Sequence, residues 1–344
     1  MKTTSVLSAA ALCLLASACA DSIPVGPSAT STLAPVNGRV SMLDAEQIAS
    51  VTATLGAMND DLERVGAVVR VGRAQLIYKA GAMHLASKTE ILANDRDRGF
   101  GEEWVKGDPR RGGRQGVTYA LGSSTGGLPV IRGATGAFRF ATLAEVNAQL
   151  EEGMQAWRDR ACSNAPIMRV PVPAGTDPDQ LDQYFRGQPT SPNYAPAADI
   201  IQAAWHPLQF FINIGGPDGV GILGVTFTFY FVDETGAPTD IDRDGNRDLG
   251  LAEIFYNGAY LWGNVPQVDE VDFYSIIAHE TGHALGLNHF GKIFVTKKDA
   301  SDGIQLDDIK YAPLALMNAL YVTGRSDLRG TDNSSFCQIW GGKK

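Results

Sequence analysis

The chain has 344 residues, enough for one large domain or two modest ones. A composition of 44% apolar and 19% charged residues excludes wholesale disorder and fibrous repeats. With 29 basic against 38 acidic residues, the net charge of -9 repels phosphate backbones and argues against nucleic acid as a partner.

Lys2, an apolar stretch from Val6 to Leu15 and a run of small residues give residues 1–19 the layout of a secretory signal. The apolar stretch is shorter than the ~20 residues a transmembrane helix needs, and no later segment does better. Leu15-Ala16-Ser17-Ala18-Cys19 resembles a bacterial lipobox, which would make Cys19 a lipidation site and anchor the chain at the cell envelope. Ala16-Ser17-Ala18 equally suits an ordinary A-x-A cleavage and free secretion, so both readings stay open, and both are extracytoplasmic. Residues 20–44, rich in Ser, Pro, Thr and Gly, read as a flexible tether. Cys13 and Cys19 belong to the signal, leaving Cys162 and Cys337, which in an exported chain read as one disulfide or as two buried thiols.

Residues 45–112 read as an N-terminal extension and 113–344 as the main domain. Within the extension, the run from Asp44 to Val71 has Ile48, Val51, Leu55 and Met58 spaced for one helical face. Lys88 to Gly116 is charged and Gly-rich, an irregular connection. Val117–Leu121 is a short strand candidate. Thr142 and Glu145 have capping-box spacing ahead of a helix over about 143–160, with Leu143, Val146, Leu150 and Trp157 as its stripe. Ile167–Val172 and Ala198–Ile201 are β-rich. From Val225 to Val232, Val225, Phe227, Phe229 and Phe231 alternate with Thr226, Thr228 and Tyr230, the pattern of a half-buried strand. Leu251–Tyr256 supplies one more strand, and a helix starting near Val271 follows.

That helix carries His279-Glu280-Thr281-Gly282-His283-Ala284-Leu285-Gly286-Leu287-Asn288-His289. Histidines four apart share one helix side, so both imidazoles reach one ion. Gly286 can end the helix at positive φ and turn the chain so that His289 becomes a third ligand. Three neutral nitrogens leave one tetrahedral position for water, the arrangement of catalytic zinc, and Glu280 is placed to act as general base. Three of the five histidines lie in this segment.

The eleven-residue motif, with Ala315-Leu316-Met317-Asn318 after it, resembles the metzincin metallopeptidases and among them the bacterial matrixin-like family. The resemblance implies an α+β catalytic domain: a twisted mixed β-sheet, long helices and an active-site helix followed by a Met-turn at Met317, supporting the metal from below. It implies a zinc endopeptidase acting on a protein or peptide, which lies antiparallel to an edge strand at Leu223, Gly224 and Val225. The chain departs from the family in several places. Val225 stands where a structural-zinc histidine is frequent, and only His84 and His206 remain outside the motif. The extension has no proline-arginine-cysteine-glycine switch, and Tyr321 lies four residues past Met317 rather than two, so no tyrosine ligand is expected. The rival readings are a metal-binding but inactive surface lipoprotein or scaffold, and a zinc hydrolase of a non-protein amide.

A second pattern is Asp240, Asp242, Asp244 and Asp248 at positions 1, 3, 5 and 9 of a loop with Gly245 at position 6. It matches the start of a calcium loop, although position 12 is Leu251, with Glu253 nearby, so a bound Ca2+ and a solvated acidic turn are both open.

Overall fold

The first helix, α1 (Ala45–Arg64), ends where Gly66 takes φ +71°, its amide bonding the Glu63 carbonyl while the Ala67 amide bonds that of Leu62. The chain then enters β1 (Val69–Lys79), so the apolar run expected to stay helical to Val71 is already strand at Val69. This computed structural model describes residues 45–79, 99, 101–121, 127–160, 162, 166–172, 178, 181, 196–264, 267, 269–295, 309–321 and 326–341. The expected signal, the tether, Cys19 and His84 lie outside them.

After β1 come β2 (Glu102–Glu103), β3 (Val117–Leu121), β4 (Val130–Arg132), β5 (Phe138–Phe140), α2 (Leu143–Arg158), β6 (Ile167–Arg169) and β7 (Ile200–His206). Then follow α3 (Leu208–Gly215), β8 (Ile222–Phe231), β9 (Arg247–Asn257), β10 (Leu261–Gly263), β11 (Val271–Asp272) and α4 (Phe273–Ala284). The chain closes with β12 (Lys292–Val295), β13 (Ile309–Ala312), β14 (Leu320–Tyr321) and α5 (Gly330–Trp340).

The main sheet runs β14-β1-β8-β9-β7-β3-β6, with β2 beside β9. It is mixed: β8 is antiparallel to both β1 and β9, and the remaining pairs are parallel. Five helices among the described residues flank it, so the fold combines α and β as the sequence pattern predicts. On one face α1 and α3 bury Met58, Leu62, Phe211 and Ile214 against Phe227, Phe229 and Phe255. On the other, α2, α4 and α5 bury Leu150, Trp157, Ile277 and Phe336 against Tyr119, Ile254 and Tyr256. Helix α2 starts at the Thr142–Glu145 capping box, and Val146, Leu150 and Trp157 of its stripe are buried while Leu143 stays 48% exposed.

Two expectations are corrected here. Strand β8 is not an edge: Val69–Tyr78 of β1 covers one side of it and β9 the other, so Leu223, Gly224 and Val225 lie inside the sheet. It is also not half-buried. Thr226 and Thr228 have no solvent exposure, because the face read as polar packs against Glu280 and Glu102. Residues 45–112, read as an extension, supply β1 and β2 to the main sheet.

Candidate metal centre

Asp272 caps α4, its carboxylate accepting the Ser275 amide at 2.8 Å. The helix is buried along its whole length and ends with Gly286 at φ +90°, the Gly286 amide on the His283 carbonyl and the Leu287 amide on that of Gly282. This turn brings His289 back over the helix. The Nε2 atoms of His279, His283 and His289 meet at 3.0 Å (279–283), 3.1 Å (283–289) and 3.2 Å (279–289). His279 Nδ1 lies 2.8 Å from the Leu316 carbonyl and His283 Nδ1 2.8 Å from that of Leu287. A carbonyl only accepts, so both Nδ1 atoms carry the hydrogen and both Nε2 lone pairs are bare. Burial pushes His279 down to about 4, against the Leu316 bond, and drives His283 well below its ordinary value.

Glu280 is fully buried on the side of α4 that faces β8. The Thr226 hydroxyl lies 2.6 Å from its Oε2 and 3.0 Å from its main-chain carbonyl. Gly224 makes room for it: a Cβ there would stand 3.0 Å from both Cγ and Oε1 of Glu280. Burial raises the carboxyl to about 8, with Thr226 and the backbone amide of Ile77 pulling the other way. Oε1 itself has no full hydrogen bond.

Met317 sits beneath the helix, where a Cβ on Gly282 would meet its sulfur at 2.5 Å. The turn around it is tied down: the Phe290 amide bonds the Met317 carbonyl, and the Asn318 side chain bonds the Phe290 carbonyl at 2.6 Å. The Asp332 carboxylate accepts the amides of Leu316, Met317 and Arg329 at 2.9, 3.1 and 2.7 Å. Three indoles hold the helix itself. Trp157 donates to the carbonyl of Ala278, Trp104 to that of Ala284 and Trp340 to that of Leu285, the last two being carbonyls the helix end leaves unpaired. Cys162 and Cys337 are disulfide-bonded, fixing α5, which carries Asp332 and Trp340, to the end of α2.

Outside this centre, the acidic loop forms two overlapping groups, Asp240–Asp242–Asp248 and Glu103–Asp242–Asp244. Asp248 is already held by Arg110 at 2.6 Å and the Thr239 hydroxyl at 2.5 Å, while Asp240 accepts the amides of Asp244 and Gly245. Burial, and after it the Asp244 charge, raise the Asp242 carboxyl. Glu253 lies in β9, buried, and accepts the Leu181 amide. His206 is packed between Phe210 and Phe255, and the Tyr321 hydroxyl accepts the Asp272 amide at the start of α4.

Thr226, Asp332, Trp104, Trp157 and Trp340 escaped the sequence reading, since each reaches the centre from a distant part of the chain. Two left a signal, Trp157 in the α2 stripe and Thr226 in the alternation of β8, but neither pattern says what the side chain meets. The sequence matches no family model and no curated protein.

Proposed function

We propose that this protein is a zinc metallopeptidase, and more narrowly an exported endopeptidase of the metzincin type that cleaves internal bonds of a protein or peptide. The observation that carries this reading is the convergence of three imidazole Nε2 atoms to 3.0–3.2 Å. Bare lone pairs so close repel unless a cation lies among them. Four-coordinate zinc with Zn–N near 2.0–2.1 Å sets its ligand nitrogens roughly 3.3 Å apart, so His279, His283 and His289 suit it. Bound there, zinc would supply Lewis acidity, polarising a scissile carbonyl and making water acidic enough to lose a proton near neutrality.

The rest is done by the chain. A cation among the imidazoles would favour the ionised carboxylate over the neutral form that burial alone prefers, and as that carboxylate Glu280 takes the proton of the attacking water and returns it to the leaving nitrogen. Thr226 fixes Oε2 of that carboxylate at 2.6 Å. The Leu316 and Leu287 carbonyls orient the imidazoles. The interior position of β8 favours a second reading, a metal-holding but inactive scaffold.

One experiment separates them. Purified wild type, Glu280→Ala and His283→Ala are assayed for zinc and for cleavage of a broad peptide library, with sites read by mass spectrometry. Glu280→Ala should keep about one zinc per chain and lose about 10²–10⁴-fold in cleavage, as general acid–base deletions do. His283→Ala should lose both. A zinc-loaded wild type that cleaves nothing supports the scaffold, and a Glu280→Ala protein as fast as wild type overturns the mechanism.

A further inference from the structure

We propose that β1 is the chain's own occupant of the strand position beside the metal centre, so that the intact protein is closed to extended substrates until the end of β1 leaves β8. This rests on the peptidase reading above. An extended peptide binds a sheet by pairing its backbone with a free edge. Here β8, the strand against Glu280, has none, because β1 pairs antiparallel along it from Val69↔Phe231 to Tyr78↔Ile222.

The placement of β1 is that of a ligand at the centre. Ile77 is the Cα partner of Gly224, the residue whose missing side chain admits Glu280, and the Ile77 amide faces the Glu280 carboxylate. On its far side β1 runs parallel to β14, at Tyr78↔Leu320 and Lys79↔Tyr321, three residues beyond Met317. It therefore threads between the strand bordering the candidate base and the strand that follows the turn under the metal. Leu76, Ile77 and Tyr78 are at most 5% exposed, and His279, Glu280 and His283 not at all, so an extended chain and β1 compete for one place.

The two halves of β1 are held by different contacts. Its start is clamped to α1, where the Asn59 amide group exchanges hydrogen bonds with both the N–H and the C=O of Val71 at 2.7 and 3.0 Å. Both halves break register against β8, at Val71/Arg73 and at Ile77/Tyr78, and only the end has a second strand partner, through two residue pairs to β14. Opening the place beside Glu280 requires release of Leu76–Lys79, which pair with Ile222–Val225 and with β14, and the Asn59 clamp lets the start of β1 stay in place meanwhile.

The test uses the full zinc-loaded protein, its zinc content measured, and two probes: acetohydroxamate, which needs only the metal, and extended peptides ending in a hydroxamate, which also need the strand position. Binding is titrated while hydrogen exchange is followed by mass spectrometry over Leu76–Lys79. We expect the extended probes either to gain nothing over acetohydroxamate or to gain affinity only as the amides of Leu76–Lys79 lose their protection. Extended probes that bind more tightly than acetohydroxamate while those amides stay protected would overturn the proposal and leave the peptidase reading intact. A protein that takes up no zinc would overturn both.

Discussion

Gly282→Ala tests how tightly the helix is seated on the methionine beneath it. Alone in a helix interior, this change stabilises by about 1 kcal/mol, because glycine carries more backbone entropy in the unfolded chain. Here the new methyl would lie 2.5 Å from Met317 Sδ, 2.9 Å from Trp157 Cζ2 and 3.1 Å from Met317 Cε. Trp157 is fully buried and held to the Ala278 carbonyl, so Met317 is the group that must retreat. Overpacking of this kind costs about 1–3 kcal/mol, enough to cancel or reverse the gain from propensity. Retreat of Met317 also drags the adjacent Leu316 carbonyl that orients His279, and losing such an outer contact typically weakens metal affinity about 10–100-fold. Urea unfolding with a chelator present should therefore show a midpoint no higher than wild type, and competition against a zinc indicator should show weaker binding. Adding Met317→Ala should give less than the sum of the two single changes, since the cavity takes up the methyl. A Gly282→Ala protein that is more stable than wild type and holds zinc equally well would refute this account of the seat.

Replacing Cys162 and Cys337 by serine opens a loop of 175 residues, worth about 5 kcal/mol on the chain-entropy model, and should lower the urea midpoint by a matching amount; an unchanged midpoint would deny the bond any role in stability. Asp199→Ala strands Arg111, which is 3% exposed and bonded to that carboxylate at 3.0 Å, so a loss of about 3–5 kcal/mol is expected from the same titration. Burial works to raise the Asp199 carboxyl, but Arg111, the Thr118 amide and Arg114 outweigh it, so its folded pKa is depressed. Its contribution is then complete above the unfolded value near 3.9 and is lost as pH falls through the folded one. The variant should accordingly show a flatter acid limb than wild type, and equal limbs would contradict the assignment. Millimolar calcium should relieve the crowding of Glu103, Asp242 and Asp244 and raise the melting temperature over that in chelator; identical curves with no calcium by elemental analysis would make the loop a self-satisfied acidic turn.

The features legible in the sequence are the ones whose cause is local. Helical spacing alone puts His279 and His283 on one side of α4, and the only conformational demand, positive φ, falls on Gly286. The start of α2 was readable because Thr142 and Glu145 satisfy each other's amides within four residues. The end of α1 left a mark in Gly66, but the apolar run continuing through Val69 and Val71 masked it. What could not be read depends on pairings between distant segments. Alternation along β8 identifies two faces but not what covers them, and its polar face meets buried carboxylates rather than water. Its edge was misread because the strand that fills it comes from about 150 residues earlier, and backbone pairing leaves no residue-specific trace. Asp332 was invisible for the same reason, since nothing near it in sequence announces that its carboxylate will cap a turn 15 residues upstream.

The indoles that secure the histidine-bearing helix give the protein an optical handle. All five tryptophans, at 104, 157, 205, 262 and 340, are buried, and three donate to carbonyls of the helix bearing the histidines or of its cap. Indole emission depends on the polarity and hydrogen bonding of its surroundings, so the intrinsic fluorescence of the chain is weighted toward the few ångströms around that helix. A shift of the helix by a fraction of a turn alters three emitters together, whereas opening of the acidic loop reaches only Trp104, the neighbour of Glu103. The unlabelled protein thus carries a spectroscopic record of its own centre, readable in real time.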